Sequence, residues 1–545
     1  MSKIAHYLQE HLVGEVTTSA DAREYFATDG SVFRVLPSII AYPRSENDVR
    51  KTARFAWQLA ERGRVIPITG RGKGTDQAGG ALGSGIMMVF PAHMNKVLEL
   101  DGKTGLTTIE PGINYGKLQQ TLHTHGRFLP PFPSSVEFCT VGGAIANNAS
   151  GEKTLKYGCT RDYVKSLRVV LANGEVIETG RIKKRELSKK MGLSTFEGEI
   201  YRAVDALIEE SRELLDTMNL DVTKNSAGYD LIDIKRKDGS FDLTPLLVGS
   251  QGTLGLITEA VIGTEPYNPN TTLIAAFFDD IAVAEQAVLE IRKLPDMPSA
   301  LEMVDSNLLD FIDEHNPNQL KDIVRKPFHK LIILIEFDNG SERIQKRMTK
   351  KALKVLNRYD VSYQVETDEA AKQQLWKIRH SAAAVISHTE GNAKALPIIE
   401  DGVVPVSQFH DYIKGIYALF EKYKLRVAVW GHAGNANLHM QPFLDLSQVG
   451  DRQKVFKIID EYYSMVIKMG GSTSGEHNDG RLRAPYLKQL YGPEVYSLFQ
   501  KTKHIFDPYN ILNPGVKINV TLDEIKPLMR SDYSMDHLYD HMPRT

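Results

Sequence analysis

The sequence predicts an α+β protein built from more than one domain. Three observations point there. The chain has 545 residues, more than one domain ordinarily holds. Its N-terminal half carries three separated Gly-rich segments, each following apolar residues of β type. Its C-terminal half alternates strand-like apolar runs with helical stretches, which suits a sheet covered by helices on one face.

Residues 1–36 read as a helical N-terminal segment. In 64–89, RVIPITGRGKGTDQAGGALGSGIMMV, an apolar strand at 65–68 runs into a loop holding Gly70, Gly72, Gly74, Gly79 and Gly80. A second strand begins near Ile86. Glycines let backbone N–H groups turn toward an anion and approach it closely, and a diphosphate is the obvious guest. The segment is neither GxGxxG opening a helix nor a Walker A loop. A plain surface loop fits the same composition. Further on, prolines at 130, 131 and 133 impose an extended approach to VGGAIANN at 141–148. Its small residues and amide side chains suit a flat ring and its carbonyls. A strand at 166–171 and the turn Ala172-Asn173-Gly174-Glu175 read as a hairpin. LLVGSQGTLGLITEA at 246–260 repeats the strand, Gly loop, strand pattern. Three such loops suggest one large anionic ligand held by several loop tips. Around Pro266, EPYNPNTT reads as a linker. Beyond it, TLIAAFFDD, KLIILIEFDN and RVAVWG read as strands, and AVAEQAVLEIRKL and SERIQKRMTKKALKVLNRY as helices.

Composition excludes several classes. A net charge of −2 argues against a general nucleic-acid binder. Cys139 and Cys159 are the only cysteines, too few for a disulfide framework, a Cys₄ zinc site or a Cys-ligated iron–sulfur cluster. A reducing compartment fits. The N-terminus lacks the apolar core of a signal peptide, and no apolar run approaches the ~18 residues of a membrane span. A cytoplasmic protein is expected. Peripheral contact at the inner membrane face stays open, because RIKKRELSKK at 181–190 reads either as a solvated face or as a dock for an acidic partner or anionic membrane.

Two segments near the C-terminus carry metal-ligand chemistry. VWGHAGNANLHM at 429–440 holds His432 and His439, and SGEHNDGR holds Glu476 beside His477. Two imidazoles and a carboxylate are a ligand set for Zn²⁺ and related ions, leaving a coordination position for substrate. His477 is then spare as a general base. The spacing matches no common zinc signature, and histidines satisfied within Gly-rich turns fit it as well.

Twelve pieces in order, from about residue 37 to 517, carry a resemblance: TGRGKGTDQAGG, EPGINYGKLQ, PPFPSS, TVGGAIANNASG, LKYGCTRDYV, GSQGTLGLITE, LEMVD, LWKIRH, EDGVVP, GHAGNANLH, SGEH and FDPYNILNPG. Together they resemble the FAD-linked oxidase family of the vanillyl-alcohol oxidase type. Within it they resemble the D-2-hydroxyacid dehydrogenase branch, with D-lactate dehydrogenase, the glycolate oxidase flavin subunit and D-2-hydroxyglutarate dehydrogenase. The resemblance implies a FAD-binding domain of two subdomains at 37–267 and a ferredoxin-like cap with an antiparallel sheet at 268–470. A segment at 471–520 would return to the flavin, followed by a tail at 521–545.

The resemblance also implies roles. Gly70, Arg71, Gly72, Lys73, Gly74 and Thr75 would cradle the pyrophosphate. Ser135, Gly142, Gly143, Asn147 and Ser150 would line the flavin. Gly252 and Ile257 would hold the ADP side, and Asn513 would sit near the ring. No histidine stands in the first Gly loop, so FAD is expected to be non-covalent, with both cysteines as small buried fillers. His432, His439 and Glu476 take the metal-ligand positions, for Zn²⁺ or Mn²⁺, and His477 that of the base. Arg379 matches an arginine that grips the substrate carboxylate. Gln441 and Lys394 are further substrate candidates.

The implied reaction oxidises a small D-2-hydroxy acid to the 2-oxo acid by hydride transfer to flavin, with a metal polarising the hydroxyl. The cation should keep His477 neutral near pH 7. Electrons would pass to a separate acceptor: an iron–sulfur protein, a quinone or another oxidant. The rivals are an oxidase or alkylglycerone-phosphate-synthase-like flavoenzyme of the same fold, and a non-catalytic or electron-transfer flavin subunit of a larger complex. Oligomeric state is not legible. The chain also departs from the family pattern. Asn435 and Ala436 stand where GDGN is usual, and Asn478 where GEHG is usual. The lost aspartate would thin the negative charge around the ligands. Ala436 implies a backbone that avoids positive φ.

Overall fold

The computed structural model describes residues 3–315, 318, 323–387 and 393–538; residues 539–545 of the expected tail lie outside them. Three larger sheets organise the chain. The first has four strands in the order Glu15–Thr17, Ile39–Tyr42, Ile86–Val89 and Ile68–Arg71. Its last three strands run parallel, so Ile68–Arg71 delivers the first Gly loop at its C-terminal end. The second sheet is antiparallel, in the order Val97–Asp101, Leu106–Ile109, Leu256–Gly263, Val164–Val170 and Val176–Glu178. The expected hairpin turn closes its edge, with Gly174 at φ 84°.

The third sheet has eight strands, all antiparallel. At its centre lie Thr272–Phe278, Leu331–Phe337, Ala300–Asp305, Val427–His432 and Asn437–Leu444. Strand Ile399–Val403 pairs with the last of these, setting Glu400 opposite His439. Leu331–Phe337 is buried at every position, including Glu336, whose carboxylate pairs with Lys153.

Four sequence expectations are corrected. Helices cover both faces of the third sheet rather than one. Ile281–Arg292, Glu342–Arg358, Phe409–Tyr423 and Val449–Lys468 pack on one side. Ser306–His315 and Glu369–Ser387 pack on the other, against Val304, Ala428 and Trp430. The second Gly-rich stretch is a helix, Val141–Asn147. Thr140 accepts from the Gly143 N–H as its N-cap, and Asn148 ends it in the left-handed conformation, so the caps override the poor propensity of two glycines. The apolar run before the third Gly segment forms a short helix, Thr244–Leu247, with Pro245 in its first turn, and not a strand. Ala436 adopts φ 51° as the cap of the turn Ala433–Asn435. Its carbonyl accepts from Val404 N at 3.1 Å, which ties down a conformation costing about 1–2 kcal/mol for a non-glycine residue.

The chain end returns to the first Gly loop. Ile68 N donates to Ile511 O at 2.7 Å, and Asn513 N to Ile68 O at 2.8 Å. Behind the loop, the Tyr533 hydroxyl donates to Gly30 O at 2.9 Å, and His537 Nε2 lies 3.0 Å from Gly74 O.

Candidate functional site

A cleft of about 1230 Å³, part of it open to solvent, lies where the three Gly-rich segments converge. Gly70, Arg71, Gly72, Lys73, Gly74 and Thr75 line it, as do Ser135, Gly142, Gly143, Asn147, Gly252 and Ile257. Its walls fit a large flat cofactor. Gly252, at φ 71°, would carry a Cβ that meets nothing within 4 Å, so any side chain there would enter the cleft. A Cβ at Gly142 would stand 2.6 Å from the Pro111 carbonyl oxygen, so the close approach of these two segments excludes a side chain there. Cys139 is buried at the cleft lining, and burial pushes its thiol up to about 12.

Sequence reading missed the hub that fixes this cleft. Asp76 Oδ1 accepts from Ala78 N and Gly80 N at 2.8 and 2.9 Å. Its Oδ2 accepts from Asn147 Nδ2 at 2.9 Å and Gln251 Nε2 at 3.3 Å. Gln251 also donates to Asn147 Oδ1 at 3.0 Å and accepts from Gly480 N at 2.8 Å. One carboxylate therefore joins all three Gly-rich segments. Asn513 acts similarly from behind: its amide donates to Gly80 O and Gln251 O at 2.8 and 2.7 Å and accepts from Thr69 Oγ1 at 3.0 Å. Ser150 is not among the residues lining the cleft; it donates to Glu476 Oε2 at 2.7 Å.

Glu476 and His477 line the same cleft, and a buried histidine cluster stands beside them. His432 ends strand Val427–His432, and His439 lies on the paired strand Asn437–Leu444. His432 Nε2 is 3.0 Å and His439 Nε2 3.2 Å from Glu476 Oε1. The three donor atoms lie within 4.8 Å of one another, a chemically suitable set for a divalent ion. Both rings present Nε2 because carboxylates hold the other nitrogen. His432 Nδ1 lies 2.7 Å from Glu302 and His439 Nδ1 3.1 Å from Glu400. Such carboxylate–histidine pairs fix tautomer and ring orientation. The residues present therefore fit a metal ion.

Each carboxylate has a basic partner. Glu302 accepts from Arg379 Nε at 2.9 Å, Glu400 pairs with the buried Arg483, and Glu476 with the buried Lys224 at 2.5 Å. Burial works to raise the carboxyl of Glu302, but His432 and Arg379 hold it down at about 2. Burial also opposes ionisation of Glu476, and His432 and Lys224 overcome it, keeping the group well below the usual carboxylate range. Asp401 braces the backbone, accepting from Glu476 N at 3.0 Å and His477 N at 2.8 Å.

His477 stacks on His439 with ring centres 5.0 Å apart, and its Nδ1 lies 2.8 Å from Glu400 Oε1. Burial pulls its pKa down, but Glu400, Asp401 and Glu476 more than offset that and push it up to about 9. These three carboxylates are the charges that the expected cation would have to offset to keep the ring neutral.

Arg379, expected at a substrate carboxylate, is buried against Glu302 on helix Glu369–Ser387. Gln441 lies two residues beyond His439 on the same strand, half-buried. Lys394 opens the short edge strand Lys394–Ala395, opposite Leu444. The family departures are absorbed locally. Asn435 donates to Thr223 Oγ1 at 3.0 Å rather than facing the histidines. Asn478, at φ 66°, donates to Asn147 O and Gly249 O at 3.0 Å, which locks the His477 loop onto the cleft. Of the basic run, Lys190 pairs with Glu197 and Arg181 with Asp233. No helix among the described residues is long and apolar enough to cross a membrane.

Known proteins are similar to this chain in sequence and in fold. The description FAD binding domain matches residues 37–180, and FAD linked oxidases, C-terminal domain, matches 268–516. The chain is 31% identical to D-2-hydroxyglutarate dehydrogenase of Escherichia coli (strain K12) over 93% of its own length, but spans about half the length of that relative, 50%. It is 30% identical to glycolate oxidase subunit GlcD of Bacillus subtilis (strain 168), with 89% of each chain covered. It is 29% identical to D-lactate dehydrogenase of Archaeoglobus fulgidus, covering 88% of this chain and 90% of that one. The solved structure of p-cresol methylhydroxylase with substrate bound shares the fold at a TM-score of 0.69, with 15% identity and 96% and 97% of the two chains covered. Alkyldihydroxyacetonephosphate synthase shares it at 0.63, with 17% identity and 94% and 86% covered. With a FAD-binding domain, the matching C-terminal domain and a relative similar along nearly its whole length, the chain belongs to the FAD-linked oxidase family.

Proposed function

We propose that this protein oxidises a small D-2-hydroxy acid to the corresponding 2-oxo acid, using non-covalent FAD and a divalent ion, and passes the electrons to a separate acceptor. The observation that carries the reading is the convergence of His432 Nε2, His439 Nε2 and Glu476 Oε1 beside His477, at the end of the Gly-walled cleft. When bound, FAD supplies the hydride acceptor and a divalent ion, Zn²⁺ or Mn²⁺, the Lewis acid that lowers the pKa of a coordinated hydroxyl.

The chain's own residues do the rest. Glu302 and Glu400 hold Nδ1–H of His432 and His439, so both rings offer Nε2. Glu400 likewise holds His477 Nδ1, leaving Nε2 to accept the substrate hydroxyl proton. The carboxylates that raise the His477 pKa are those whose charge a bound dication offsets. Arg379 orients Glu302, and it is the arginine assigned to the substrate carboxylate. Gln441 and Lys394 are the further candidates for contact with the substrate. Residues 37–267 would form the FAD domain, 268–470 the cap and 471–520 the returning segment.

The test is an anaerobic screen of D-lactate, glycolate and D-2-hydroxyglutarate, read as bleaching of flavin absorbance. Bleaching by one of them, and not by its L-isomer where one exists, is expected. No bleaching by any D-2-hydroxy acid would favour a non-catalytic flavin subunit instead.

A further inference from the structure

Lys224 has entered so far only as the buried partner of Glu476. It lies in an irregular loop far from the ligands in sequence, yet it is buried with its Nζ 2.5 Å from Glu476 Oε2 and 3.3 Å from Ser150 Oγ. Its neighbours pin it from several sides. Thr223 Oγ1 donates to Asn435 O at 3.0 Å, beside the turn that follows His432. Ser226 N donates to Ser474 O at 3.0 Å, and Ser226 Oγ to Gly475 O at 3.0 Å, just before Glu476. Asn225 Oδ1 accepts from Ser472 Oγ at 2.7 Å. The ammonium is thus fixed relative to both halves of the histidine–glutamate cluster.

The two oxygens of Glu476 divide their work. Oε1 faces His432 Nε2 and His439 Nε2, while Lys224 and Ser150 take Oε2. The other two basic partners, Arg379 and Arg483, grip carboxylates that sit behind the histidines. Lys224 grips the ligand carboxylate itself. A carboxylate with both oxygens free can chelate a cation through both. One oxygen held by an ammonium leaves a single-oxygen ligand and cancels the only formal negative charge in the set. Like charges a few ångströms apart in a buried site repel strongly.

We propose that Lys224 is a positioning residue that sets the charge of the metal centre, so that the ion is held loosely and polarises substrate strongly. This rests on the metal-assisted reading. The test uses full-length holoprotein stripped of metal with a chelator, its FAD retained, and titrated with Mn²⁺ by calorimetry. Wild type, Lys224→Met, Lys224→Gln and Lys224→Arg are compared, together with anaerobic flavin reduction at saturating Mn²⁺. Removing the positive charge (Met or Gln) is expected to tighten Mn²⁺ binding by on the order of tenfold or more and to slow flavin reduction by a similar factor. Lys224→Arg should stay close to wild type in both. Gln keeps a donor toward Oε2 and tests the charge alone, should Met fail to fold. Unchanged or weaker Mn²⁺ binding in the Gln variant with FAD retained would overturn the proposal. A wild-type protein that binds no Mn²⁺ or Zn²⁺ would overturn the metal-assisted reading as well, which is a different result from failure of the charge effect.

Discussion

Glu400 and His439 face each other across paired strands, with Nδ1 of the histidine 3.1 Å from Oε2 of the glutamate. The same carboxylate lies 2.7 Å from His477 Nδ1. One buried acid therefore orients both a candidate ligand and the candidate base. Glu400→Gln should lower metal affinity by roughly 10–100-fold, the usual loss for a carboxylate behind a ligand histidine. Elemental analysis after dialysis reads this. Full metal retention would show that the pair does not hold the ring.

The Asp76 hub makes a separable prediction, because it touches the Gly-rich segments and not the histidines. Asp76→Ala leaves four donors without their acceptor, at about 1–3 kcal/mol for each one that stays buried and unsatisfied. FAD should dissociate at least roughly tenfold more readily, while metal content stays unchanged. Fluorescence of released flavin on dilution measures it. A variant that keeps FAD as tightly as wild type would mean the segments hold their geometry without the hub.

The flavin itself should come free. Acid precipitation is expected to release all of it to the supernatant, since no histidine stands in the first Gly loop. Colour left on the pellet would contradict this.

Asp305 gives a pH signature of stability. It ends a central strand, caps the following helix through Leu308 N at 2.9 Å and accepts from the Tyr417 hydroxyl at 3.0 Å. Burial, the largest influence, raises its carboxyl to about 7, against about 4 for an exposed aspartate. The folded protein then binds a proton that the unfolded chain has released. Stability from this group is full below about pH 4, declines up to about pH 7 and is lost above it. Asp305→Asn keeps the cap acceptor and removes the titration. It should raise the melting temperature at pH 8 and leave it nearly unchanged near pH 4, by scanning calorimetry. An equal shift at both values would mean that charge burial is not the cause.

Much of the fold was legible because apolar runs such as LIILIEF fix buried strands by length alone. The caps were harder to read. Thr140 and Pro245 start helices in segments whose glycines and β-type residues argue locally for loop and strand. In the site, the His432, His439 and Glu476 segments stood out because two imidazoles and a carboxylate are a ligand set for a divalent ion. Their supports did not. Glu302 and Glu400 sit within buried strands, ALEMVD and IEDGV, where an acid needs a partner that the sequence does not locate. That mismatch between an acid and an apolar strand was the available signal. Lys224 and Asp76 carried none toward Glu476 and Asn147, which lie 252 and 71 residues away.

The central claim is that His477 accepts the substrate proton beside a metal held by its neighbours. Stopped-flow reduction of the flavin under anaerobic conditions isolates that step from the unknown acceptor. His477→Asn should slow it by ~10²–10⁴-fold, the usual contribution of general-base catalysis, with FAD and metal contents unchanged. A variant that reduces its flavin as fast as wild type, or one that loses its metal, would contradict the role assigned to His477.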